Sequence, residues 1–231
     1  MVLLVAGCGA GEGKPAAEPV PSASGPDAKE EFRAALRRLQ SAPYKFSVTG
    51  DVSASLRLTA SGAHDPKARK LTRTVSLSGG RPGQSIVIGA DSYSRVDGEG
   101  PWIHADLDEL SSGVLFVKSD PVDPNGLARF TENVTLVERR GPHGYKGYFW
   151  LSEKSSFLPL GVPALDLYGP AGGDFTATTD AAGNVTSIDI AVEAKEVTAG
   201  LTARTFKSAT KFTTHGQAVS IVKPQQVRAL D

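Results

Sequence analysis

The side chains best able to do chemistry in this chain are few and far apart. Its single cysteine, Cys8, is the one strong nucleophile, and it follows Val5-Ala6-Gly7 and precedes a glycine. One thiol cannot close an internal disulfide. The four histidines, His64, His104, His143 and His215, fall one to a segment. With no His-x-His and no helical pair they do not build a metal site, and they read as surface residues. Asp106 and Asp108 flank Leu107 behind Trp102, and paired carboxylates can divide acid and base work. Helix capping accounts for them better. No nucleophile-elbow motif, phosphate-cradling glycine loop, dinucleotide fingerprint or zinc-protease helix motif occurs. The sequence therefore predicts a protein that is not an enzyme, with no catalytic residue, metal or cofactor.

Lys plus Arg and Asp plus Glu number 25 each, so no global field draws the chain to nucleic acid, and none is expected as a partner. No apolar run approaches the roughly 20 residues a spanning helix needs. Cys8 has a more specific reading. Val5-Ala6-Gly7-Cys8 resembles the bacterial lipobox, in which a branched apolar residue and two small residues precede the cysteine that receives diacylglycerol. The resemblance implies that Cys8 becomes an acylated N-terminus and holds the protein to the membrane from its outer face. Only Val2 to Ala6 stand before it as an apolar core, so residues 1–8 read as a truncated lipoprotein signal peptide ending in the lipobox. Residues 9–26, rich in Gly, Pro, Ala and Ser and free of aromatic residues, cannot bury enough surface to offset their ordering entropy and are expected to be a disordered tether. On square-root scaling it would reach on the order of 25 Å.

Residues 27–231 are expected to form one domain, and patterning says how it is built. Asp27 can cap a helix in which Phe32, Ala35, Leu36 and Leu39 share one face, with acidic residues at its start, Arg37 and Arg38 near its end and Pro43 beyond. From Tyr44 to Ala60 the apolar residues Tyr44, Phe46, Val48, Val52, Ala54, Leu56, Leu58 and Ala60 occupy even positions and polar ones odd positions. That is one very long strand, or two strands in phase joined near Gly50-Asp51, with one greasy and one wet face. The same period recurs at Leu71, Arg73, Val75 and Leu77, and at Ile188, Ile190, Val192 and Ala194. Ile86 to Ile88, Asp91 to Val96, Val134 and Leu136, Tyr145 to Leu151, Phe175 to Thr179 and Leu201 to Phe212 add strands, and Asp180 to Asn184 reads as a hairpin turn. Short helices are expected at Asp106 to Ser111 and at Asp123 to Phe130. The predicted fold is α+β: a large curved antiparallel β-sheet with helices gathered on one face.

A helix after a tether, a long antiparallel sheet, the segment from Asp91 to Leu110 with its tryptophan turn, the stretch His143 to Leu151 and the closing Val219 to Leu230 together resemble the LppX and LprG lipoprotein family, related in fold to LolA. The resemblance implies a half-barrel with helices across its mouth and an apolar cavity for the acyl chains of a lipid or glycolipid. The residues expected to line such a cavity are Phe46, Val48, Val52, Leu56, Leu58, Val75, Leu77, Trp102, Trp150, Ile188, Ile190 and Val192. Phe157, Leu160 and Leu165, in a Pro- and Gly-broken apolar stretch, would form its lid. The same residues could instead finish a solid core. Two functions are then open: a monomeric, membrane-anchored carrier of a lipid or glycolipid, or a tethered envelope interaction or sensor module with a filled interior.

Overall fold

The computed structural model describes residues 27–51, 56–107, 123, 126–151, 171–194 and 204–229. Cys8, the tether, Val52, Asp108, Phe157, Leu160 and Leu165 lie outside the described residues. Helix α1, Ala28–Gln40, forms where expected. The Asp27 carboxylate accepts the Lys29 N–H at 3.2 Å, Glu30 and Glu31 sit in the positive first turn, and Arg37 and Arg38 in the negative last one. Phe32, Ala35, Leu36 and Leu39 are the buried stripe.

The strands follow as β1 Tyr44–Asp51, β2 Arg57–Asp65, β3 Lys70–Leu77, β4 Gly83–Ile88, β5 Asp91–Val96 and β6 Trp102–Asp106. Helix α2, Leu127–Asn133, intervenes before β7 Val134–Arg139, β8 Gly144–Leu151, β9 Ala171–Thr179, β10 Val185–Ala194, β11 Arg204–Thr213 and β12 Val227–Ala229. All twelve strands join one sheet in the order β12-β6-β5-β4-β3-β2-β1-β11-β10-β9-β8-β7, which does not close on itself. Two meanders, β1 to β6 and β7 to β11, meet where Lys45 lies opposite Thr213.

The long even-numbered run resolves into two strands in phase. Thr49 pairs with Thr59 and Gly50 with Leu58 across an antiparallel hairpin, so Tyr44, Phe46, Val48, Leu58 and Ala60 are all buried on one face. The expected turn at Asp180 to Asn184 is present: Gly183 at φ 78° donates its N–H to the Asp180 carbonyl, and the Asp180 carboxylate accepts from Asn184.

Three details differ from expectation. The sheet is antiparallel except at one edge, where the short β12 runs parallel to β6, with Val227 opposite Trp102. Helix α2 begins at Leu127 rather than Asp123 and ends at Asn133. Asp123 still serves it from outside, its carboxylate accepting the Ala128 and Arg129 N–H groups at 3.1 and 2.9 Å, while Gly126 holds the N-cap position itself. Asp106 is the last residue of β6, not the start of a helix.

The apolar face of the sheet as candidate functional site

Pairing register and side-chain alternation assign each strand residue to one of two faces. On the apolar face of the second meander, α1 and α2 lie against β7, β8 and β10. Their rings interlock: Phe32 stacks on Phe175 at 5.1 Å between centroids, and Phe130 meets Phe149 and Phe175 edge-on, each at 5.4 Å. Ile188, Ile190 and Val192, expected to face the ligand, join this cluster and are buried. The cluster continues without a break across β11 and β1 through Phe212, Phe46 and Val48 to Leu58, Ala60, Leu71 and Val87.

On that continuation two polar residues sit in the apolar set. His64, opposite Tyr44 and Leu71, is buried rather than on the surface as its type suggested, and its Nδ1 lies 3.1 Å from the Tyr44 hydroxyl. Burial lowers its pKa to about 4, against a smaller opposing pull from Asp65. Arg73, on β3 between Leu71 and Val75, pairs with Gly62 and Ser85. It is 7% exposed, and burial pushes its pKa below the ordinary arginine range. The pattern had placed Arg73 among the apolar positions, but its charge gave no sign that it would be withdrawn from water.

The remaining candidates divide. Leu58 is buried, Val75 packs partly buried against the core and Leu56 is half-buried. Leu77, opposite Leu58 at a strand end, is 39% exposed. Trp150 follows the fully buried Phe149, so alternation turns it outward, and it is 48% exposed. Trp102 is buried on the opposite face from the apolar set, with the Arg95 guanidinium 4.4 Å above its ring. Beside it on that face Tyr93 is buried, with Lys223 Nζ 5.6 Å from its ring centroid, and the chain running into β12 bonds here through the Trp102 N–H to the Gln226 carbonyl. A second, smaller buried patch thus lies under the C-terminal segment.

A depression of about 530 Å³ spans β2, β1, β11, β10 and β9. In its lining Asp51, Arg57, Asp174, Asp189 and Lys207 belong to the outward set, and Gly50, Leu58, Phe175, Ile190 and Ser208 form the core-facing row between them. Leu58 and Ile190, expected to line a cavity, are in its lining together with charged residues of both signs. A second hollow of about 430 Å³, between α1 and the β7–β8 and β9–β10 turns, is ringed by Glu31, Arg38, Arg139, Tyr145 and Asp180. There Arg139 pairs with Glu31, which also accepts from the Tyr145 hydroxyl at 3.3 Å, and Arg38 Nη2 donates to the Gly183 carbonyl at 2.5 Å. Burial, then Glu31, raises the Tyr145 pKa. These pairs fasten the helix to the sheet.

His104 Nε2 lies 2.5 Å from Asp91 Oδ1, and among the described residues no group of three or more His, Cys, Asp or Glu could hold a metal. No described helix is long and apolar enough to cross a membrane.

In fold the chain is similar to the lipoprotein LppX of Mycobacterium tuberculosis, at 12% identity and a TM-score of 0.48, covering 84% of this chain and 99% of that one. An uncharacterized conserved protein from Thermus thermophilus is similar at 10% identity and 0.41, covering 88% and 100%. A LolA superfamily protein from Nitrosomonas europaea follows at 9% identity and 0.31, covering 82% and 94%. No family model and no curated protein matches the sequence.

Proposed function

We propose that this protein is a membrane-anchored envelope lipoprotein, acylated at Cys8 and held at the outer face of the cell membrane, that binds a lipid or glycolipid as a monomer without catalysing a reaction on it. One observation carries the binding half of this reading. The apolar face runs unbroken from the helix-packed meander onto β1 to β4, through Phe46, Val48, Leu58, Ala60, Leu71 and Val87, whereas α1 and α2 make their main contacts on β7, β8 and β10. Among the described residues this face extends beyond the two helices that pack on it, and an interior that is apolar and shielded from water is the environment acyl chains require. The anchoring half rests on Val5-Ala6-Gly7-Cys8 and the aromatic-free stretch behind it.

Organic extraction of the protein purified from its native membrane is the test. It should release close to one lipid per chain, and mass spectrometry of the first tryptic peptide should show Cys8 acylated. Repeated preparations without lipid, together with no binding of fluorescent acyl probes, would end the carrier reading. The interaction-module reading would then take its place, favoured by the dense ring cluster around Phe32 and Phe175.

A further inference from the structure

Arg73 is the point where charge breaks the apolar face. It shares the alternating set of Leu71 and Val75, and its Nε is a buried donor with no acceptor among the described residues. A guanidinium taken out of water without a counter-charge is among the least favourable placements a side chain can have. Among the described residues nothing supplies the missing anion.

The register shows what stands beside it. One transverse row runs from Phe212 and Phe46 through Gly62 to Arg73, then through Ser85 and Ser94 to Ile103. Phe46 and Phe212 are buried, Ser85 is half-buried and Ser94 exposed, so the row grades from greasy to wet with Arg73 at the transition. On one side Gly62 has no side chain of its own, and the Phe46 ring leans over it, with Cζ 2.8 Å from where a Cβ would stand. On the other side Ser85 and Ser94 occupy the next two positions of the row, with small hydroxyl side chains. An amphiphile has the same grading, an apolar tail joined to a polar head.

We infer that Arg73 receives the anionic head, a carboxylate or phosphate, of an amphiphile whose acyl chain lies along the apolar face toward Phe46 and Val48. The planar fork of a guanidinium matches either oxyanion with two parallel hydrogen bonds, and a site shielded from water strengthens them. His64, the nearest buried titratable group on the face, is neutral at pH 7 and does not compete for the anion. The inference rests on the carrier reading and narrows it to acidic lipids.

The test titrates the full chain, its Arg73→Met variant and its Arg73→Lys variant with oleic acid, oleyl alcohol and inorganic phosphate, by calorimetry and by thermal melting. Wild type should prefer oleate to oleyl alcohol, and Arg73→Met should weaken oleate about tenfold or more while leaving oleyl alcohol within about threefold. Ligand-free Arg73→Met should melt above wild type, since a buried unpaired charge has gone, and Arg73→Lys should keep part of the oleate preference. Equal oleate affinity in wild type and Arg73→Met overturns the proposal and leaves the carrier reading standing. So does a lower melting temperature for ligand-free Arg73→Met with no oleate preference in wild type, which marks Arg73 as a structural residue. If neither amphiphile binds wild type but phosphate raises its melting temperature and not that of Arg73→Met, the anion site stands as a free-anion site and the carrier reading falls. If nothing binds wild type, both fall. Should Arg73→Met fail to fold, wild type and Arg73→Lys decide, and absence of an oleate preference in wild type overturns the proposal.

Discussion

The two meanders of the sheet bury their apolar faces in different ways. Over β7 to β10 the face is finished by helix: Phe32 and Phe130 project from α1 and α2 into rings contributed by β8 and β9, and at the rim Arg139 pairs with Glu31. Over β2 to β4 the same face carries His64 and Arg73 inside a set that is otherwise Leu58, Ala60, Leu71 and Val87. The first arrangement gains the full benefit of dense ring packing. The second holds a base and a cation out of water at a cost in folding energy. The half closed by helices is thus packed differently from the half that carries the proposed binding site.

The largest expected effect comes from cutting into the half closed by helices. Phe32→Ala removes a fully buried ring in contact with Phe130, Tyr145 and Phe175 and should lower unfolding stability by about 3–5 kcal/mol in urea titration. A loss under about 1 kcal/mol would mean that the two halves are packed alike. The half that carries His64 should instead reveal itself by pH. His64 has a folded pKa of about 4 against 6.5 unfolded, so between those values the unfolded chain binds more protons, and stability present at pH 7 is lost as pH falls from 6.5 toward 4. The loss should approach about 3 kcal/mol at most. His64→Gln should flatten the slope. His215, whose pKa burial also lowers, contributes in the same direction, and His215→Gln run in parallel separates the two. A slope unchanged in His64→Gln would refute the buried, neutral imidazole.

A third change tests close packing at the boundary. A Cβ at Gly62 would collide with the Thr72 carbonyl and with the Phe46 ring, so Gly62→Ala should cost about 1–3 kcal/mol. Wild-type stability in this variant would show that Phe46 can move off Gly62. The smallest effect is expected on the wet face. Arg57, 81% exposed beside Asp51 at 3.7 Å, should change stability by less than about 0.5 kcal/mol when replaced by Gln, and a larger loss would show that the outward depression is a structural element in its own right.

How much of this was written in the sequence depends on the face. The run from Tyr44 to Ala60 disclosed its strands and their buried side because a sheet wet on one side imposes a period of two. Helix α1 was readable from Asp27 to Gln40 because cap, charge and stripe agree. Trp150 was not, since Tyr148-Phe149-Trp150 is aromatic on both faces and composition cannot say which ring turns in. Trp102 failed for a different reason: the residues from Gln217 to Gln226 that lead to β12 have no period, yet they cover an otherwise wet face and bury Tyr93. Arg73 was phased correctly with Leu71 and Val75, but a charged residue in an apolar register is ordinarily taken for an interruption. Only the folded chain shows that the register, not the charge, decided where it went.

The seam between β1 and β11 joins residues as distant as Lys45 and Thr213. The hairpins of β1 to β6 pair with their sequence neighbours, but β1 cannot pair with β11 until the chain has been made as far as Thr213, so this seam is the part of the sheet that must wait longest. A chain whose closing stitch comes last stays pliable for a long time, and folding speed, more than final stability, should be the property most easily lost by mutation along that seam.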